Sequence, residues 1–199
     1  NCENNRDERS RYLLVENRKV ENYVDMALYY ARMDAVYKDY MIAESNLQEV
    51  AQQVLLQNKY YLIQSHVKAE VACPDTVYSD KKWIAFILNQ LIQNSVKYGR
   101  SEGTHIQIVT KKTKRGVLLR VKDDGIGIPK EEIPRIFEKG FTGTNGRNRE
   151  RSTGMGLYLC RKLCDKLNIE IRAESAEGKG TEIILMFPVS DYLTGYRET

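Results

Sequence analysis

The sequence predicts an α+β fold, a two-layer sandwich in which a mixed sheet is covered on one face by helices and preceded by a helical segment. Three observations carry this. Apolar residues alternate in "HIQIVTKK", "VLLRVKD", "IEIRAES" and "TEIILMFP", the period of half-buried strands. They recur at helical spacing in longer stretches, above all "DKKWIAFILNQLIQNSVKYGR". The two kinds follow in the order helix, strands, helix, hairpin, loop, helix, hairpin, with no internal repeat.

Each element has its own signal. Arg9 to about Met33 reads as a charged helix, with Leu13, Asn17, Val20, Val24, Ala27 and Ala31 forming a short coiled-coil-like seam. "KDYMIAES" reads as a short strand. "NLQEVAQQVLLQNKYYLIQ" reads as one helix capped by Asn46. "VKAEVA" and "TVYS" are strands around the turn at Pro74-Asp75, and Asp80 caps a helix running to about Tyr98. "TKRG" joins the first hairpin, and Pro129 presets entry to a short helix. Thr153 to Leu167 is expected to be helical, and "AEGKG" turns the last hairpin. Glu138 to Ser152 is the longest stretch without regular structure, and such loops in compact domains are usually functional or disordered.

Composition narrows the classes. The chain has 199 residues, 42% hydrophobic and 29% charged, enough for one domain with an appendage. A net charge of +4 is too mild for a nucleic-acid partner. No run approaches the roughly 18 apolar residues of a membrane span. The polar start at Asn1, without an initiator Met, suggests a cut fragment. Cys2, Cys73, Cys160 and Cys164 show no CxxC spacing and lack a neighbouring His, so reduced thiols in a cytoplasmic protein are expected rather than zinc.

At about 100° per residue, Ile84, Ile87, Leu88, Leu91 and Ile92 share a core-facing arc. Gln90, Asn94 and Lys97 share a separate polar strip, with Tyr98 at its edge. An amide oxygen, an ammonium and a ring on one strip suit Mg²⁺, phosphate and a nucleotide. A solvated helix face is the plain alternative.

"DDGIGIP" shifts that balance. Asp123 ends a strand, where a carboxylate can form a pocket floor, and Gly125 and Gly127 allow positive φ and close approach to a ligand. An EF-hand is excluded, because its further acids and terminal Glu are missing. "STGMGLYLCRKL" puts Gly154 and Gly156 at a helix start, which favours phosphate. The Rossmann and Walker A patterns are not met.

Taken in order, "NQLIQNSVKYG", "DDGIGIP", Phe137 with Phe141, "TGMGLYL" and "GKGT" resemble the N, G1, F, G2 and G3 boxes of sensor histidine kinases of bacterial two-component systems. These belong with gyrase, Hsp90 and MutL in one ATPase superfamily, and the match covers about Trp83 to Pro188. "VENRKVENYVDMALYYARMD" resembles the second helix of the dimerisation and phosphotransfer domain. "GFTGTNGR" and "STGMGLYL" are most similar to membrane-anchored kinases that respond to bacitracin-like peptides.

The resemblance implies a Bergerat-type ATP-binding fold at 39–190, a dimerisation remnant at 1–38 and a tail at 191–199. It implies ATP and Mg²⁺, with Asp123 accepting from the adenine amino group, Asn94 holding Mg²⁺ and Lys97 pairing with phosphate. Tyr98 and Ile128 would line the sugar or base. Gly125 and Gly127 would let the backbone pass, and Gly154, Met155, Gly156 and Leu157 would bring a helix start onto the phosphates. Thr181 would support the adenine pocket, while Phe137 and Phe141 would anchor a lid at Glu138–Ser152. From that lid Arg147, and less so Arg149 and Arg151, would reach the phosphates.

Gln90 stands where hydrolytic relatives carry a Glu general base, so this chain should present ATP rather than hydrolyse it. Ser152 replaces a glycine at the start of the G2 box. His66 and His105 lack the acceptor context, so the phosphoacceptor His is expected upstream, and this chain alone should not autophosphorylate. The implied partners are a response regulator and a second copy in a homodimer, at the cytoplasmic face of the membrane through an N-terminal region. The alternatives are an ATP-hydrolysing or serine-kinase relative of the superfamily, or a non-catalytic binding module.

Overall fold

The structure is a computed structural model that describes residues 40–144 and 153–189, together with helical positions 13, 16, 17, 20, 24 and 26–28. Arg147, Arg149, Arg151, Ser152, Cys2 and Ala31 lie outside the described residues, as do both expected domain boundaries. Of the seam, Leu13, Val20 and Val24 are helical and at least half exposed.

β1, Ala43–Asn46, is shorter than expected and leads into α1, Leu47–Gln57. The Asn46 side-chain oxygen accepts from the Glu49 amide at 3.1 Å, satisfying one free donor of the helix start. The single helix expected to reach Gln64 is two helices, because Asn58 breaks it before α2, Lys59–Gln64. Asn58 is buried at φ −96° and ψ 6°. Its Nδ2 donates to the Val54 carbonyl and to Asn89 Oδ1, each at 2.8 Å. A buried amide needs such partners, and satisfying it ties the kink to the helix that carries Asn89.

β2, Val67–Ala72, and β3, Thr76–Ser79, flank Pro74-Asp75 as expected but do not pair with each other. β3 joins β1 in a two-stranded antiparallel sheet, and β2 runs parallel to β4, Thr104–Thr113. α3, Lys81–Lys97, starts where Asp80 Oδ1 accepts from the amides of Lys82 (2.9 Å) and Trp83 (3.4 Å). Ile84, Ile87, Leu88, Leu91 and Ile92 are all almost wholly buried. Each such side chain stabilises the fold by about 1.5–3 kcal/mol relative to exposure.

β5, Gly116–Asp123, folds back on β4 as an antiparallel hairpin, and a 3₁₀ turn follows at Ile133–Arg135. α4, Gly156–Lys166, begins three residues later than expected, because Gly154 has φ +65°, outside the helical region. β6, Glu170–Ser175, and β7, Thr181–Pro188, complete a mixed sheet of order β2-β4-β5-β7-β6.

Side chains alternate across this sheet. Val117, Leu119 and Val121 of β5 and Ile183, Leu185 and Phe187 of β7 join the core beneath α3 and α4. On the other face Arg120 and Glu182 form an ion pair at 2.8 Å. Two residues beyond Val121 is Asp123, and two before Ile183 is Thr181. Register sets them opposite each other on the core side at one end of the sheet. Cys73, Cys160 and Cys164 are buried free thiols, as expected. Burial pushes Cys73 up to about 11 and Cys164 up to about 12, so both stay protonated.

Candidate functional site

A carboxylate on the core face of a strand should be costly, and burial does push the Asp123 carboxyl up from its ordinary value. Three donors work against that. Asp123 Oδ2 accepts from the Ser95 hydroxyl at 2.8 Å. Oδ1 accepts from the amides of Gly125 (3.0 Å) and Thr181 (3.1 Å). A carboxylate offers about four acceptor positions, so one remains, on the Ser95 side. Asp123 lines a cleft of about 1080 Å³, between the strand ends, the C-terminal half of α3 and the start of α4.

Gln90, Asn94, Lys97 and Tyr98 of the polar strip open into the same cleft, as do Gly127, Ile128, Phe141, Gly154, Gly156, Leu157 and Thr181. The Lys97 ammonium lies 5.6 Å from the Tyr98 ring centroid. Gln90 is 5% exposed, and its Oε1 sits against Gly156, where a Cβ would come within 2.8 Å. The Gln90 side chain is therefore a buried amide packed on the start of α4.

The glycine-rich loop is held from two sides. The Ile126 amide donates to the Tyr98 carbonyl at 3.0 Å, and the Gly178 amide donates to the Ile126 carbonyl at 2.8 Å. Gly127 has φ +72°, and a Cβ there would lie 2.0 Å from the Ala176 carbonyl oxygen. Gly125 is not at positive φ, contrary to expectation. It must be small because a Cβ would meet the Tyr98 carbonyl at 2.6 Å. The Ile128 amide donates to Ser175 Oγ at 2.9 Å, and that hydroxyl also contacts Thr181 Oγ1 at 3.0 Å. Across the cleft, the Gly140 amide donates to the Gly154 carbonyl at 3.0 Å, tying these two described segments together.

Three expected site residues are described but do not line the cleft. Phe137 packs against the core, Gly125 acts through Asp123, and the Met155 amide contacts Thr153 Oγ1 at 3.3 Å. Sequence reasoning missed Ser95, whose signal was a polar residue on the apolar arc, three after Ile92 and four after Leu91. It also missed Arg100, which bridges the Asp124 carbonyl (2.7 Å) and the Gly178 carbonyl, clamping the two glycine-containing loops together. His66 is exposed in a turn, and His105 in β4 has Nε2 3.2 Å from Glu70 Oε1, so neither sits in a helix.

Among the described residues no group of three or more His, Cys, Asp or Glu could hold a metal alone. Mg²⁺ typically takes one or two protein oxygens and completes its shell with phosphates and water. A single amide oxygen from Asn94 in the cleft fits that pattern. Among the described residues no helix is long and apolar enough to cross a membrane.

The family described as histidine kinase-, DNA gyrase B- and HSP90-like ATPase matches residues 79–191. The chain is 34% identical over 174 residues to the sensor histidine kinase YxdK of Bacillus subtilis, covering 86% of this chain and 54% of that one. It is 36% identical over 189 residues to the sensor protein kinase GraS of Staphylococcus aureus, covering 92% and 53%. It thus spans about half the length of these curated relatives. The nucleotide-free catalytic domain of histidine kinase ThkA superposes with a TM-score of 0.63 at 26% identity, covering 74% of this chain and 95% of that one. ThkA in complex with response regulator protein TrrA shares the fold, with a TM-score of 0.65 at 23% identity and coverage of 89% and 49%.

Proposed function

Because the chain belongs to the family of histidine kinase-, DNA gyrase B- and HSP90-like ATPases, we propose that it is the ATP-binding catalytic part of a sensor histidine kinase. In this reading the γ-phosphoryl group of ATP passes to a histidine on the phosphotransfer helix, then to an aspartate of a response regulator. The observation that carries it is the one open acceptor on buried Asp123, at the bottom of a cleft whose helical wall presents Asn94 and Lys97.

Asp123 accepts from the adenine amino group, and Ser95, Gly125 and Thr181 hold the carboxylate still for it. Lys97 neutralises phosphate charge, and Asn94 would hold Mg²⁺. When bound there, Mg²⁺ would supply neutralisation of phosphate charge. Phosphoryl transfer asks the protein chiefly for positioning and charge stabilisation, and a cleft of this kind offers both. Gln90 cannot take a proton from water, which favours transfer over hydrolysis. The complex of ThkA with response regulator protein TrrA supports a response regulator as partner, and a homodimer at the cytoplasmic face of a membrane belongs to the same proposal. The bacitracin-like subfamily and an Arg147 contact to phosphate belong to the same proposal.

The test supplies γ-labelled ATP, Mg²⁺ and a longer kinase chain whose own ATP site is disabled but whose histidine is intact. Acid-labile, base-stable label on that chain is the expected result. Label appearing only as free phosphate would show a hydrolase instead.

A further inference from the structure

Glu132 has no role in the mechanism above, yet it lines the same cleft. Its amide donates to the Pro129 carbonyl and its carbonyl accepts from the Arg135 amide, each at 2.9 Å, so its backbone is fixed at the head of the 3₁₀ turn. Oε1 accepts from both the amide (2.9 Å) and the hydroxyl (2.6 Å) of Thr144. Oε2 faces the backbone of Gly143, where a Cβ would come within 2.5 Å. At the other end of this short segment the Arg135 guanidinium lies 4.6 Å from the Phe141 ring centroid. Phe141–Thr144 is therefore held at both ends by the preceding turn, while Phe141, Thr142 and Gly143 face the cleft. A carboxylate taking two donors from one residue makes charge-assisted bonds with a defined geometry.

We propose that Glu132 is a positioning residue that, through Thr144, holds Phe141–Thr144 as one wall of the cleft and so sets how long a nucleotide stays bound. The inference rests on the ATP reading above. A wall held by contacts within the protein chiefly changes departure, because differences among related complexes lie mostly in the off-rate.

Stopped-flow fluorescence with a methylanthraniloyl-ADP probe tests this on the parent chain, Glu132→Ala, Glu132→Gln, Thr144→Val and the Glu132→Ala/Thr144→Val pair. Glu132→Ala is expected to raise the off-rate about 3- to 10-fold, with the on-rate within about twofold. Thr144→Val, which keeps the backbone donor, should have a smaller effect, and the pair should be no worse than Glu132→Ala alone. Glu132→Gln keeps an acceptor oxygen and should recover most of the loss. An unchanged off-rate in Glu132→Ala, or effects that multiply in the pair, would overturn the inference. Thr144 is exposed, so Thr144→Val decides the matter if Glu132→Ala does not fold. A parent chain that binds no probe would bring down the ATP reading, and this inference with it.

Discussion

In an Asp123→Asn variant the side-chain oxygen must stay where Oδ1 now lies, because two backbone amides, from Gly125 and Thr181, point at that position. The new NH₂ group then occupies the Oδ2 position, where it can donate to Ser95 Oγ, reversing the bond in which that hydroxyl now donates. The fold keeps its hydrogen bonds, but the cleft meets a donor where it had an acceptor. Losing one charge-assisted hydrogen bond to the adenine amino group costs about 1.5–3 kcal/mol, or roughly 10- to 150-fold in affinity. Calorimetry with ADP measures this directly. The inosine analogue presents a carbonyl at the same ring position, so its penalty relative to ADP should shrink or reverse. Because burial raises the folded-state pKa of Asp123, the folded chain holds that proton more tightly than the unfolded chain. Stability then falls as pH rises from the ordinary aspartate value through the raised one, and the ionised form carries that cost at neutral pH. The Asn variant, without the charge, should melt no lower than the parent at pH 7. Unchanged ADP affinity together with an unchanged preference over the inosine analogue would refute the adenine assignment.

The same carboxylate gives a pH signature. ADP affinity should be flat near neutrality and decline on acidification, starting above the ordinary aspartate range, and Asp123→Asn should lack that decline when titrated by calorimetry. Asn94→Ala should weaken Mg-ATP far more than adenosine, which binding measured with and without Mg²⁺ would show; equal losses would argue against a metal role. Gly127→Ala must adopt a left-handed backbone costing about 1–2 kcal/mol. Its Cβ must also displace the Ala176 carbonyl, so a melting midpoint lower by several degrees and weakened ADP binding should appear together.

Local chemistry announced much of this protein, and long-range pairing announced little. β2 and β3 begin and end where their alternation does, and the Asn46 and Asp80 caps lie where a side-chain acceptor precedes an apolar repeat. Asp123, Asn94, Lys97 and Gly127 were legible from a strand end, a helix face and a glycine pair, and Thr181 from the family resemblance; all five line one cleft. The split at Asn58 was not readable, since its reason is Asn89, some thirty residues away. Nor was the parallel pairing of β2 with β4, because a turn such as Pro74-Asp75 suits a hairpin as well as a change of sheet. Gly154 and Phe137 show the same limit. A glycine at a helix start does not reveal its φ, and an aromatic beside a site does not reveal whether it faces ligand or core.

The ladder between β5 and β7 has one more consequence. Lys122 is exposed and Asp123 buried because they point to opposite sides of the sheet. Sliding the central strand by a single step would exchange them, turning an ammonium into the cleft in place of the carboxylate. Nucleotide capture can therefore serve as a proofreading signal during refolding, since only chains whose strands have aligned correctly acquire it.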